Sequence, residues 1–511
     1  MTRLTALLCS LLLLTAGVGS AAVAAEPSTA TSGTLSTSQP QLDQSAPVGC
    51  VDGICYDDDL PFDEATDLTD DELDILVDRT MARVEQLRGQ KFDSEVPVEV
   101  QSRAEFREDN LVTNTSTDET FERWNDGVWK GLFIIGDDQR SAAAIDGTIG
   151  EAVSGFYVPS ENRIVIVSST PDSPTVNEQT LLHELGHAMQ DQYHDLSEPT
   201  YRGVTQDRDL AVDGAVEGEA AYLGSLYSER CSSGQWDCFD TTQASGGSSG
   251  GSGESTSNPG VLFLLLQPYS DGPAYIHEIR ETDGWEGVSE HIESPPTTTT
   301  EIIHQQPMNA PSLDVPDEST DGWERYPEQG GGAEVTGEAS IYVMFWYQAR
   351  EYGADTIDPQ SFTNTDQPYD RYDYVSEPSE GWAGDELYPY KRGDDDGYVW
   401  SLEWDSTADA TEFAEAYGEI LTAHDAAETD SGAYVVSNGS FSGTYGVEVD
   451  GTRVTIVHAP TEAGLFELRP SLEPTPVVDD GSRLFQDDVP GFGVAAAVAA
   501  LLAVVIAGRL D

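Results

Sequence analysis

The sequence predicts an α+β fold, and three observations predict it. The first is a helix opening at Thr69. Thr69-Asp70-Asp71-Glu72 has the spacing of a capping box, and Leu73, Leu76, Thr80, Val84 and Leu87 return on one helical face. The second is a run of strands leading into another helix. Val96–Val100 reads as a strand, and Phe156–Val158 with Ile164–Val167 reads as a hairpin turning at Ser160-Glu161-Asn162. The helix after it starts from a second capping box, Thr175-Val176-Asn177-Glu178, just past Pro174, and runs to about Tyr193. The third is the half beyond residue 261, where Gly337–Glu351 reads as helix while Tyr398–Trp404 and the Asp450-Gly451 hairpin read as strands.

Composition divides the chain further. Residues 1–25 have the form of a secretory signal: Arg3, the apolar stretch Leu4–Val18, then small residues around Ala24. Residues 26–60 are expected to be a low-complexity spacer, 61–243 a first folded domain, and 244–260 a Gly/Ser-rich linker. A second mixed α/β region is expected over 261–470, followed by a linker at 471–489 and a C-terminal address at 490–511. That address is Pro490-Gly491-Phe492, an apolar run from Gly493 to Gly508, and Arg509. The run is short for a transmembrane helix, which needs about 20 residues.

Charge narrows the setting. With 93 acidic and 24 basic residues the formal net charge is −69, and the acids are spread along the whole length. Such self-repulsion disfavours the compact state in dilute buffer but is screened in molar salt, where the Debye length is about 3 Å. A halophilic source is the reading this supports. Nucleic acid is excluded as a partner, since nothing offsets phosphate repulsion. Cys9 falls inside the signal. The remaining four cysteines, in an exported protein, suggest two disulfides, and close spacing favours Cys50–Cys55 and Cys231–Cys238 among the three possible connectivities.

The chemistry-bearing motif is His183-Glu184-Leu185-Gly186-His187 on the helix after Pro174. Histidines four apart project from one helical face, which suits two imidazoles on one zinc ion, and the glutamate between them can act as general base. The preceding hairpin would place an edge strand beside the site, where an extended peptide could add. A catalytic zinc takes a third protein ligand. Gln190 and Tyr193 occupy the positions where metzincins carry their glycine and third histidine, which excludes that class, and His194 reads as a surface residue. The next helix, expected over Leu210–Tyr227, offers Glu217, with Asp213 one turn before it and Ala220, Ala221 and Gly224 on nearly the same face. Small residues there would let the two helices approach. Glu217 is therefore the expected third ligand, Asp213 a partner orienting a histidine, and Glu219 a residue facing away.

His183–Gln192 and Val216–Ala220 resemble the two metal motifs of secreted gluzincin-like proteins of haloarchaea and bacteria. The likeness continues through Pro268–Ile276, Gly284-Trp285, Ser294–His304, Gly397–Trp404 and Ala408–Tyr417. The resemblance implies a zincin-like (gluzincin) core with a mixed edge-strand sheet, a zinc cofactor and peptidase activity. The Pro490-Gly491-Phe492 tail likewise resembles the sorting signal of haloarchaeal surface proteins, which implies a C-terminal sorting enzyme as partner. It also implies a membrane anchor or attached lipid on the outer face of the cell. The expected function is a cell-surface zinc endopeptidase acting on peptide or protein substrates. The alternative is a catalytically silent zincin-fold surface or adhesion protein. A donor for the developing oxyanion is also expected, with Tyr222, Tyr275, His277 and His304 as candidates. Trp323, Trp346, Trp382 and Trp400 are open to two readings, ordinary core or a binding face.

Overall fold

The computed structural model describes residues 41–110, 119–168, 170–171, 174–239, 257–308, 310–327 and 331–472. The signal, the start of the spacer, most of the Gly/Ser stretch and the C-terminal address lie outside the described residues. In chain order the elements are β1 (Cys50–Val51), β2 (Ile54–Cys55), α1 (Asp70–Arg88), β3 (Val98–Ser102), α2 (Arg103–Asn110), α3 (Glu119–Gly131) and α4 (Ser141–Ala152). Next come β4 (Gly155–Val158), β5 (Arg163–Ser168), α5 (Glu178–His194), α6 (Gln206–Ser232), α7 (Pro259–Glu293) and α8 (Thr299–His304). The remainder is β6 (Glu324–Arg325), α9 (Gly337–Tyr352), β7 (Trp382–Arg392), β8 (Asp395–Trp404), α10 (Thr407–Ala423), β9 (Ala427–Glu428), β10 (Tyr434–Val436), β11 (Gly443–Asp450), β12 (Arg453–Ala459) and α11 (Glu462–Leu468). The mixed α+β class is as expected.

Two compact units interleave along the chain. The first takes Met1–Thr117, Ala142–Asn309 and Gln360–Tyr374; the second takes Asp118–Ser141, Ala310–Pro359 and Val375–Asp511. Although α7 follows the Gly/Ser stretch, it belongs to the first unit, because it packs along α6. The reason is visible in the glycines. A Cβ on Gly218 would lie 2.7 Å from the Gly272 carbonyl, and one on Gly272 would lie 2.5 Å from the Gly214 carbonyl. The two backbones meet where neither helix carries a side chain.

In the first unit, β3, β5 and β4 form a three-stranded sheet in that order, with β3 parallel and β4 antiparallel to β5. The hairpin turns at Pro159–Glu161, and Asn162 closes it in the left-handed region. A core of Val212, Ala215, Val216, Tyr222, Ile276 and Ile302 joins α6, α7 and α8. At the start of the chain, the Thr69–Glu72 capping box is present. Both expected disulfides are formed, Cys50–Cys55 across the β1–β2 hairpin and Cys231–Cys238 at the end of α6.

In the second unit, seven strands form an antiparallel sheet in the order β6-β7-β8-β12-β11-β10-β9. Trp323, Trp346, Trp382 and Trp400 are buried here, which decides for core over a binding face. Asp385 of β7 organises the start of α9. Its carboxylate accepts from the Thr336 and Gly337 amides, the Thr336 hydroxyl and the indole N–H groups of Trp382 and Trp400.

Candidate metal centre

The helix carrying the two histidines is held at its first turn. Asn177 is the N-cap, its side chain accepting from the Gln179 and Thr180 amides at 2.9 and 3.2 Å. The expected cap at Thr175 is not used, because that residue is still extended: it bridges Thr66, and the Val176 amide bonds the Ala65 carbonyl. Glu178, in the first turn, is buried and accepts from Arg79 at 3.2 Å, Arg83 at 2.5 Å and the Tyr227 hydroxyl at 2.7 Å. These bonds tie α5 to α1 and α6. Farther along, the Tyr157 hydroxyl of β4 donates to Asp191 at 2.8 Å. At mid-helix a Cβ on Gly186 would touch Ala220 at 3.4 Å, so the small residues do bring α5 and α6 together.

That approach places three donor atoms at the corners of a triangle. His183 Nε2, His187 Nε2 and Glu217 Oε2 lie 3.1 Å from one another. His187 and Glu217 are fully buried and Glu184 is 4 % exposed, whereas the His183 side chain keeps 18 %. Among the described residues, His183, His187 and Glu217 are the group of such donors that could hold a metal ion.

Their surroundings fit a cation. At this range the two imidazoles and the carboxylate need positive charge among them, supplied by a proton on a histidine or by a metal ion. Glu217 Oε1 and Glu184 Oε2 are buried without hydrogen-bond partners, which is costly unless an ion or a reacting group completes them. A tetrahedral zinc with bonds of about 2.0–2.1 Å keeps its ligands about 3.3–3.4 Å apart, close to the observed triangle. Without a metal, the histidines and the carboxylate charge one another. Burial pushes the Glu217 carboxyl up, but the two histidines outweigh it and pull its pKa down to about 2. Burial pushes the His187 imidazole down, but Glu217 outweighs it and holds the pKa at about 9. Burial raises the Glu184 carboxyl, against the opposing pull of the histidines and a hydrogen bond from the Tyr157 amide.

The residues expected from sequence are arranged as follows. His183, Glu184, His187 and Glu217 converge. Asp213 is buried one turn before Glu217, but the group on His187 Nδ1 is Gln190, at 2.9 Å. Glu219 does face away from the triangle, yet it is buried rather than solvated: it accepts from Gln190 Nε2 at 2.9 Å and pairs with Arg88. His194 is also inside rather than on the surface, its side chain 7 % exposed and its Nδ1 3.8 Å from Glu293. Two oxyanion candidates are committed to each other, since the Tyr222 hydroxyl meets His277 Nδ1 at 3.0 Å and Arg280 at 2.8 Å. Tyr275 packs edge-on against His291.

Sequence reasoning missed Tyr269. Its ring stacks on His183 with centroids 5.8 Å apart. The available signal was its place between two prolines inside a helix, Pro268 and Pro273.

Residues 324–469, within the second unit apart from the Gln360–Tyr374 segment, match the family model described as Domain of unknown function (DUF8575). No curated protein and no solved structure matches the chain.

Proposed function

We propose that the chain is a zinc-dependent endopeptidase of the cell surface, with a zincin-like (gluzincin) core in its first unit. One observation carries the reading: three mutually adjacent donors, two imidazoles and a carboxylate, with the Glu184 carboxylate beside them, one of its oxygens buried without a hydrogen-bond partner. His183 and His187 would present Nε2 and Glu217 would present Oε2 to the ion. Zinc held there supplies a Lewis acid for the scissile carbonyl and lowers the pKa of water. The chain's own residues do the rest. Glu184, steadied by the Tyr157 amide, takes a proton on its free oxygen and returns it to the leaving amine. β4 is an edge strand of its sheet. Its main chain can pair with an extended peptide and align it. The two disulfides support an oxidising, extracellular compartment. The −69 charge supports a saline one, and Pro490-Gly491-Phe492 supports surface anchoring.

A silent surface or adhesion module is the second reading, favoured by the low exposure of the donors. The experiment that separates the two is metal analysis and peptide-library cleavage in molar salt, with Glu184→Gln as the comparison. An enzyme holds about one zinc per chain and cleaves, and Glu184→Gln keeps the zinc while losing about 10²–10⁴-fold in rate. Stoichiometric zinc without any cleavage by the unaltered protein would establish the silent module instead.

A further inference from the structure

Two stretches of the chain have the spacing of an asparagine glycosylation acceptor, a hydroxyl residue two places after the asparagine with no proline between: Asn114-Thr115-Ser116 and Asn438-Gly439-Ser440. The first lies outside the described residues. The second falls on the connection between β10 and β11, in the second unit.

That connection holds its asparagine out on a fixed frame. Ser437, Asn438 and Gly439 are exposed, and Ser440 is half-buried. The Gly439 carbonyl accepts from the Ser442 amide at 3.2 Å, and the Ser440 carbonyl from the Asp137 amide at 2.7 Å. The Phe441 carbonyl accepts from the Tyr445 hydroxyl, also at 2.7 Å. The backbone of the tip is tied down while Asn438 stays in solvent.

Turn chemistry alone accounts for part of this sequence. Gly439 has φ +94°, which glycine adopts without steric cost, and asparagine before glycine is common at chain reversals. An asparagine placed for a turn or a cap, however, commits its side chain to nearby backbone. Asn177 and Asn258 do so at the starts of α5 and α7. Asn438 does not: among the described residues its amide makes no hydrogen bond, and neither does the Ser440 hydroxyl, which a turn does not require.

We propose that Asn438 is a glycosylation site, its amide nitrogen taking an oligosaccharide from a lipid-phosphate-linked donor on the outer face of the membrane. The new bond joins Asn438 Nδ2 to the anomeric carbon of the sugar. The bond from that carbon to the phosphate breaks, the phosphate leaves with its electron pair, and the nitrogen gives up one proton. Attachment costs the fold no hydrogen bond, since the amide makes none, and it adds a bulky, solubilising group to an exposed tip. The inference rests on the cell-surface reading above, because the transfer acts on exported chains.

The full chain, expressed in a halophilic archaeal host that glycosylates its own exported proteins, tests it. A glutamate-specific protease releases Asn438 between Glu428 and Glu448, and mass spectrometry reads that peptide in protein taken from the cell surface. The peptide should carry the host's glycan. Asn438→Gln and Ser440→Ala should each remove it, while Ser440→Thr, which preserves the acceptor spacing, should keep it. A surface protein whose peptide has only its unmodified mass, or only the small gain of deamidation at Asn438, overturns the site and leaves export standing. A chain found only inside the cell overturns the cell-surface reading, and the site with it.

Discussion

The Nδ1–H of His187 donates to Gln190 Oε1 at 2.9 Å, three residues further along the same helix. The amide orientation is not arbitrary, because Gln190 Nε2 faces two acceptors, the Val216 carbonyl and Glu219 Oε2, each at 2.9 Å. Glu219 is in turn paired with Arg88 of α1, which also bonds Ser289 of α7 and lies over the Trp285 ring. The chain Arg88–Glu219–Gln190–His187 thus holds the neutral imidazole tautomer whose Nε2 lone pair points to the metal position.

Gln190→Leu should accordingly weaken zinc binding by about 10–100-fold while the fold persists. Glu219→Ala should weaken it in the same direction. It should also destabilise the protein by about 3–5 kcal/mol, because Arg88 is left buried and unpaired. Chelator competition and urea unfolding measure the two effects. Unchanged zinc affinity in Gln190→Leu would show that the relay merely packs.

How far the site was legible depended on whether its contacts ran along a helix or between helices. His183, Glu184 and His187 share a helical period, so spacing alone aligned them, and Glu217 stood out through the small residues around it. For Glu219, helical phase says only that it points away from Glu217, not what it meets there. That a third helix brings Arg88 to meet it is a tertiary fact. Tyr269 lies 52 positions beyond Glu217 and meets His183 only because the glycine crossing brings α7 onto α6, which is likewise a tertiary fact. In the fold, α1, α5, α6 and α9 and the hairpins at Ser160–Asn162 and Asp450-Gly451 followed their patterns, while α7, the longest helix, was not read from the sequence. The N-cap moved from Thr175 to Asn177 because a bridge to Thr66, remote in sequence, keeps the chain extended.

Asp385 should prove a keystone of the second unit. Its buried carboxylate takes five donors at 2.9–3.2 Å, two of them amides at the start of α9. Asp385→Ala leaves those donors unsatisfied and should cost about 3 kcal/mol or more. Asp385→Asn should also destabilise, because its amide nitrogen would confront N–H groups. A urea midpoint unchanged in both variants would refute the assignment.

Salt should act on the whole molecule. The charge of −69 repels itself in dilute buffer, and screening within about 3 Å at molar ionic strength removes most of that repulsion. The melting temperature of residues 26–489 should rise steadily from low to molar potassium chloride. A melting temperature independent of salt would contradict the halophilic reading.

A pH dependence should be traceable to one residue of α1. Burial, and then Asp52, Asp74 and Glu95, push the Asp78 carboxyl up from its ordinary 3.8 to about 7. The folded state therefore binds this proton more tightly than the unfolded chain does. Its contribution to stability is fully present below about pH 3.9 and is lost as the pH rises through about 7. In molar salt the three neighbouring charges are screened but burial remains, so the effect should survive there. Asp78→Asn, neutral throughout, should match the unaltered protein near pH 4 and melt a few degrees higher near pH 8. The deciding quantity is the difference between the two melting temperatures as a function of pH. A constant difference would mean that Asp78 binds its proton equally well in the folded and unfolded chains, which would refute the raised pKa.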